Sequence, residues 1–199
     1  MVRWKTGLVE ANPIFEKNRI AAAIAERDLL ETKYNLHLFI THTFEHSHDY
    51  QEGEGKYRDW WKFLAWHPQI KSHVDWIGWG DYQRSRYSDQ SGKVVHFHSV
   101  AEIYKGLSGL LAKPDILGVS YWDIIRADLE LSWEYGKCWI EPYEYGGNAI
   151  PYAINDHEHY YKGIGCPRLR HQCKRQRCSH GSPELEVNGR LQLINNIWQ

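Results

Sequence analysis

The chain lacks several features that would place it quickly. It has no run of about 18 apolar residues suggesting a membrane span, and its opening, "MVRWKTGLVEANP", has no apolar stretch of signal-peptide length. A soluble chain, cytoplasmic by default, is the expectation. Net charge is nearly absent, -1 at pH 7, so the chain as a whole has no basic excess for neutralising phosphates and nucleic acid is an unlikely partner. Cysteine is sparse, four in 199 residues without a C-x-x-C pair, and demands no disulfide framework. The length allows one domain with a sizeable core and a small appendage, but not two full domains.

What is present is unevenly spread. Trp198 is the only aromatic residue after position 161, and from Lys162 onward seven Lys/Arg face two Glu. The chain therefore divides into a β/α domain over 1–161 and a basic, cysteine-containing tail over 162–199. In the tail, Asn188-Gly189 predicts a β-hairpin turn. Cys166, Cys173, Cys178, His171 and His180 lie within fifteen residues, but their spacing does not form two close pairs of zinc ligands. A basic segment able to contact an acidic partner is the simpler reading.

Segments 12–35, 57–73, 99–113 and 126–137 read as helices, and "LHLFIT", "VDWIGWGD", "ILGVSYWD" and "CWIEPYE" as strands. Ser99 followed by Glu102 has capping-box spacing, which supports the third helix. Helix and strand in alternation predict an α/β fold of consecutive β/α units around a parallel sheet. Each strand then carries an acid at or near its C-terminal end, namely Glu45, Asp81, Asp123, and Glu141 with Glu144. In parallel α/β folds ligand sites lie at that end.

The segments "VDWIGWGDY", "ILGVSYWDI" and "YGKCWIEPYEYGG" pair aromatic residues with carboxylates at strand ends. Over about residues 12–150 the chain resembles part of a (β/α)-barrel of the glycoside hydrolase type. The resemblance implies a carbohydrate-directed hydrolase with two carboxylates flanking the glycosidic bond, one protonated and one ionised. Glu141 is the first choice, with Asp123 or Glu45 as its partner. Asp81, Trp79, Tyr82, Trp122, Tyr143 and Glu144 would bind the sugar, and no cofactor is required. The chain departs from the family in number, since a closed barrel needs eight strands and four are counted. It is then a TIM-barrel-like half, with exposed sheet edges that predict self-association or a missing partner half.

His42-Thr43-Phe44-Glu45-His46 matches H-x-x-E-H, a zinc motif that requires a helix to bring both histidines to one face. Its strand-like setting argues against that. A loop gathering His42, His46 and His48 around zinc, with Glu45, is the alternative, a metal-dependent hydrolase; a non-catalytic interaction module is the third reading. "HFH" at 96–98 and "DHEH" at 156–159 offer alternate ligands on one face and read as chance pairs in polar loops.

Overall fold

A computed structural model describes residues 13–46, 49–84, 93–156 and 159–166. Among these residues five helices and five strands follow in the order α1 (Pro13–Lys33), β1 (Leu38–Thr43), α2 (Tyr50–Trp66), β2 (Val74–Arg84), β3 (Lys93–Ile103), α3 (Ser108–Leu111), α4 (Tyr121–Leu131), β4 (Cys138–Pro142), α5 (Ala149–Asp156) and β5 (His159–Gly165). The strands form one open sheet in the order β4-β1-β3-β2-β5, and every pairing is antiparallel.

This overturns the parallel-sheet, TIM-barrel-like fold and with it the resemblance to a glycoside hydrolase barrel. Two segments account for the error. Residues 99–103 continue β3 instead of starting a helix, because "VVHFHSVAEI" is a β-branched and aromatic run paired on both sides by β1 and β2. "ILGVSYWD" is a tight turn followed by a helix start. Leu117 (φ 53°) and Gly118 (φ 80°) reverse the chain, Ile116 and Val119 bridge across the turn, and Ser120 caps α4 by accepting from the Asp123 N–H at 3.0 Å. The carboxylates consequently do not converge. Strand direction alternates, so Glu45 and Asp81 lie toward one end of the sheet while Glu141, opposite Phe39 on β4, lies toward the other.

Local chemistry explains the remaining elements. Asp49 caps α2 by accepting from the N–H groups of Gln51 and Glu52. Pro68 ends that helix by forcing His67 into extended backbone (φ -50°, ψ 133°). Within α1, Ala23 and Leu30 are buried, while Ile20 and Ile24 are exposed. Among the described residues no helix is long and apolar enough to cross a membrane.

Alternation along the strands creates two layers. One face meets α2 and α4 through Tyr57, Trp60, Trp61, Leu64, Trp122 and Leu129. Trp61 stacks on Trp76 at 5.0 Å and Tyr57 on Phe97 at 4.2 Å, both nearly parallel. Glycines in β2 and β5 make room for these rings: a Cβ at Gly163 would run into the Trp76 indole, one at Gly80 into the Phe97 ring and one at Gly78 into the Tyr57 hydroxyl. Because Trp76 is held against Trp61, it cannot yield. Gly163→Ala should destabilise the fold by about 1–3 kcal/mol through overpacking. Gly55→Ala, in α2 with open space around the new methyl, should gain about 0.5–1 kcal/mol from helix propensity. Urea midpoints of the two variants moving in the same direction would refute this account of the packing. The opposite face is covered by α1 and α5, and it carries the chemistry described next.

Candidate functional site

At the centre of the α1/α5 face are His96 and His98. Two positions apart on β3, they point the same way; their rings lie 4.3 Å apart, and both residues are buried. The register places Thr43 and Asp81 on either side of His96, and Thr41 and Trp79 on either side of His98. Thr41 Oγ1 lies 2.8 Å from His98 Nδ1, Phe39 stacks on the same ring at 5.5 Å, and Trp79 is fully buried beside it. In the tautomer that carries its proton on Nδ1 and donates it to Thr41, His98 would turn the Nε2 lone pair toward a ligand, the usual arrangement of a metal-binding imidazole.

Tyr152 completes the cluster. It projects from α5 onto His98, with ring centroids 4.9 Å apart, and is 47% exposed. A buried imidazole pair thus meets a phenol that solvent and ligands can reach. Among the described residues no three His, Cys, Asp or Glu side chains are already drawn together as a metal cage. The two histidines are neighbours on one face of β3, and Asp81 is the carboxylate that the register puts beside His96.

The position of α5 is set from outside the sheet. Glu31 of α1 accepts from the Tyr143 hydroxyl at 2.8 Å and the Gly146 N–H at 2.7 Å. Arg27 donates to the carbonyls of Gly146 and Gly147 at 2.9 and 3.3 Å. Gly146 adopts φ 73°, which favours glycine. Burial, and then the Glu31 carboxylate, push the Tyr143 hydroxyl upward in pKa, so it remains a donor. Glu31→Ala should cost about 1–3 kcal/mol, because it removes a charged acceptor from two donors at once. Glu31→Gln should recover part of that loss. A thermal midpoint unchanged in both variants would exclude the clamp.

The acids and rings expected to form a sugar site are dispersed. Glu45 and Glu144 are exposed in connecting segments, and Glu141 is exposed on the edge strand β4. Asp123 accepts from the Ser120 hydroxyl at 2.6 Å within the helix cap. Trp122 is buried on the α2/α4 side, and Tyr143 belongs to the Glu31 clamp. Asp81 and Trp79 do lie beside the histidine pair. Tyr82 pairs with Val95 in β2; its side chain, like His48, lies outside the described residues.

His42 and His46 are not brought to one helical face. His42 is fully buried on the α2 side, edge-on to Trp60 (4.4 Å), Trp133 (4.6 Å) and Tyr57 (5.4 Å), whereas His46 sits in an exposed bend. Burial, with a smaller contribution from His96, lowers the His42 pKa to about 3, so it is neutral.

The pair 96–98 lies buried on β3 and not in a polar loop, because the strand runs unbroken through the segment that local patterning divides between a loop and a helix. Strict alternation in "VVHFHSV" was the available clue, since it gives both histidines one face. Tyr152 had no such clue. Comparisons with protein-family models, with curated proteins and with solved structures gave no match at all.

Proposed function

We propose that this chain is a divalent-metal-dependent enzyme that cleaves and rejoins single-stranded nucleic acid, with Tyr152 as nucleophile and His96, His98 and Asp81 as metal ligands. The observation that carries this reading is the half-exposed Tyr152 phenol set against a buried imidazole pair on the central strand. Imidazole and carboxylate ligands suit a divalent ion with open positions. Held there, such an ion would polarise a phosphoryl oxygen toward attack.

The chemistry balances without a further reagent. The Tyr152 oxygen attacks phosphorus and its proton passes to solvent. The bond from phosphorus to the neighbouring nucleotide's sugar oxygen breaks, and that oxygen takes up a proton. The phosphate ester on Tyr152 conserves the phosphodiester, so the freed hydroxyl can attack it in reverse and reseal the strand.

A strand is favoured as substrate by the surroundings of the site. On β4, Trp139 pairs with Thr41, is 49% exposed and lies under the Lys137 ammonium at 5.9 Å. An exposed indole with a neighbouring cation is a stacking platform for an unpaired base. Single-strand binding of this kind depends on local rings and charges, so a net charge of -1 is compatible with it. The carbohydrate expectation rested on the barrel resemblance and is not carried forward.

The test is to incubate the purified chain with end-labelled single-stranded oligonucleotides and Mg²⁺ or Mn²⁺. A labelled covalent adduct that survives denaturing electrophoresis and disappears with a chelator is expected. Absence of any adduct across a random-sequence pool with both ions overturns the proposal.

A further inference from the structure

Tyr152 lies outside the buried face of α5. Ile150, Ala153 and Ile154 pack with Ala23 and Leu30 of α1 in one apolar cluster, whereas Tyr152 is 47% exposed where it meets His98. Its ring is therefore not wedged into the core, and where it stands depends on how α5 is rotated about its axis. Side chains on a helix reach about 5–6 Å from that axis, so a rotation of about 10° carries a side-chain tip by about 1 Å. A misplacement of that size can cost about a hundredfold in rate.

The rotation is set at the start of the helix. The Tyr152 N–H donates to the Asn148 carbonyl at 2.9 Å, so the nucleophile's own backbone belongs to the first turn of α5. Asn148 directly follows Gly146 and Gly147, whose backbone is held by α1. Arg27 and Glu31, four positions apart and so on one face of α1, approach this turn with opposite charges. Arg27 donates to the Gly146 and Gly147 carbonyls, and Glu31 accepts from the Gly146 N–H. Glu31 also accepts from the Tyr143 hydroxyl, and Asn35 Oδ1 accepts from the Tyr145 hydroxyl at 3.3 Å. A donor and an acceptor together fix the orientation of the turn as well as its place, because any twist carries at least one of the gripped groups away. Their hold reaches Tyr152 at a distance, through the backbone from Gly146 to Asn148.

We infer that Arg27 and Glu31 are positioning residues for Tyr152: from α1 they set the rotation of α5 at which the Tyr152 ring meets His98. The inference rests on the nucleophilic role proposed above for Tyr152.

Two measurements test it, at a temperature where circular dichroism shows every variant folded. In the first, single-turnover adduct formation with saturating single-stranded oligonucleotide and Mn²⁺ should slow by about 10–100-fold in Arg27→Ala and Glu31→Ala, with both affinities unchanged. Arg27→Lys and Glu31→Gln, which keep a donor and an acceptor, should recover part of the rate. Leu29→Ala, at an exposed position of the same helix, should leave it unaltered. In the second, 3-fluorotyrosine placed at position 152 reports the location of the ring through its ¹⁹F resonance, which the neighbouring His98 ring displaces from the unfolded-chain value. Arg27→Ala and Glu31→Ala should move the resonance back toward that value. This readout needs no turnover, so a moved resonance with no adduct from the unaltered chain would support the positioning and overturn the nucleophile reading alone. Rates and resonances unchanged in folded Arg27→Ala and Glu31→Ala would overturn the inference. A loss of rate with the resonance in place would overturn it as well, since α5 would not have turned.

Discussion

Tyr152→Phe should abolish adduct formation and reduce strand cleavage by at least about a thousandfold, because the attacking oxygen is gone while the ring that packs on His98 remains. Oligonucleotide and metal affinities should change little, which distinguishes loss of a nucleophile from loss of the site. His96→Ala and His98→Ala should also abolish cleavage, but by a different route: metal binding fails and raised Mn²⁺ does not restore it. Asp81→Asn should be milder, with activity partly recovered at high metal concentration, since the imidazole pair remains. Quantitative gels with an isothermal metal titration check all four. A Tyr152→Phe chain that still forms the adduct would assign the chemistry to another residue.

The acid stability of the fold should depend on His42 to an unusual degree. Its pKa is about 3 in the folded chain against about 6.5 unfolded. Above pH 6.5 it is neutral in both states and contributes no pH dependence. Below pH 6.5 the unfolded chain binds a proton that the folded chain refuses, so stability falls by about 1.4 kcal/mol per pH unit until pH approaches 3, on the order of 5 kcal/mol in total. Neither ring nitrogen of His42 has a hydrogen-bond partner among the described residues, so His42→Leu sacrifices no bond within the described fold and keeps nearly the same volume. Between pH 7 and 5, urea unfolding of the variant should lose about 2 kcal/mol less than the unaltered chain. Parallel pH profiles would show that the cage admits a proton, or water, that the packing here excludes.

Much of the fold was legible where one physical rule acted alone. Helix α2 ends where Pro68 requires it, and β1, β2 and β4 coincide with short runs of β-branched and aromatic residues. Where two rules competed, the wrong one was followed. Ser99 with Glu102 and Ser120 with Asp123 have the same capping-box spacing; only the second pair is a cap, because the first is embedded in a strand paired on both sides. That single exchange turned a β2–β3 antiparallel pair into a supposed crossover and produced the parallel topology. The site was harder to see. His96 and His98 are neighbours in sequence, but Thr41, Asp81 and Tyr152 reach them only through sheet register and the docking of α5, which local patterning does not encode.

Thr41 and His42 are consecutive, and they face opposite layers. A slip of β1 by one residue would exchange them, because strand parity reverses every side chain at once. His42 would then stand next to His98, and a third imidazole would tend to close what is now an open two-histidine site. Threonine would sit among Trp60, Trp133 and Tyr57, leaving a void where a ring had been. The aromatic cage thus helps to hold β1 in register: by accepting a flat ring and penalising a small side chain, it keeps His42 on the α2 side and away from the imidazole pair to which the proposed function assigns a metal. Under the function proposed above, a histidine that performs no chemistry would protect the openness of a site on the other face of the sheet.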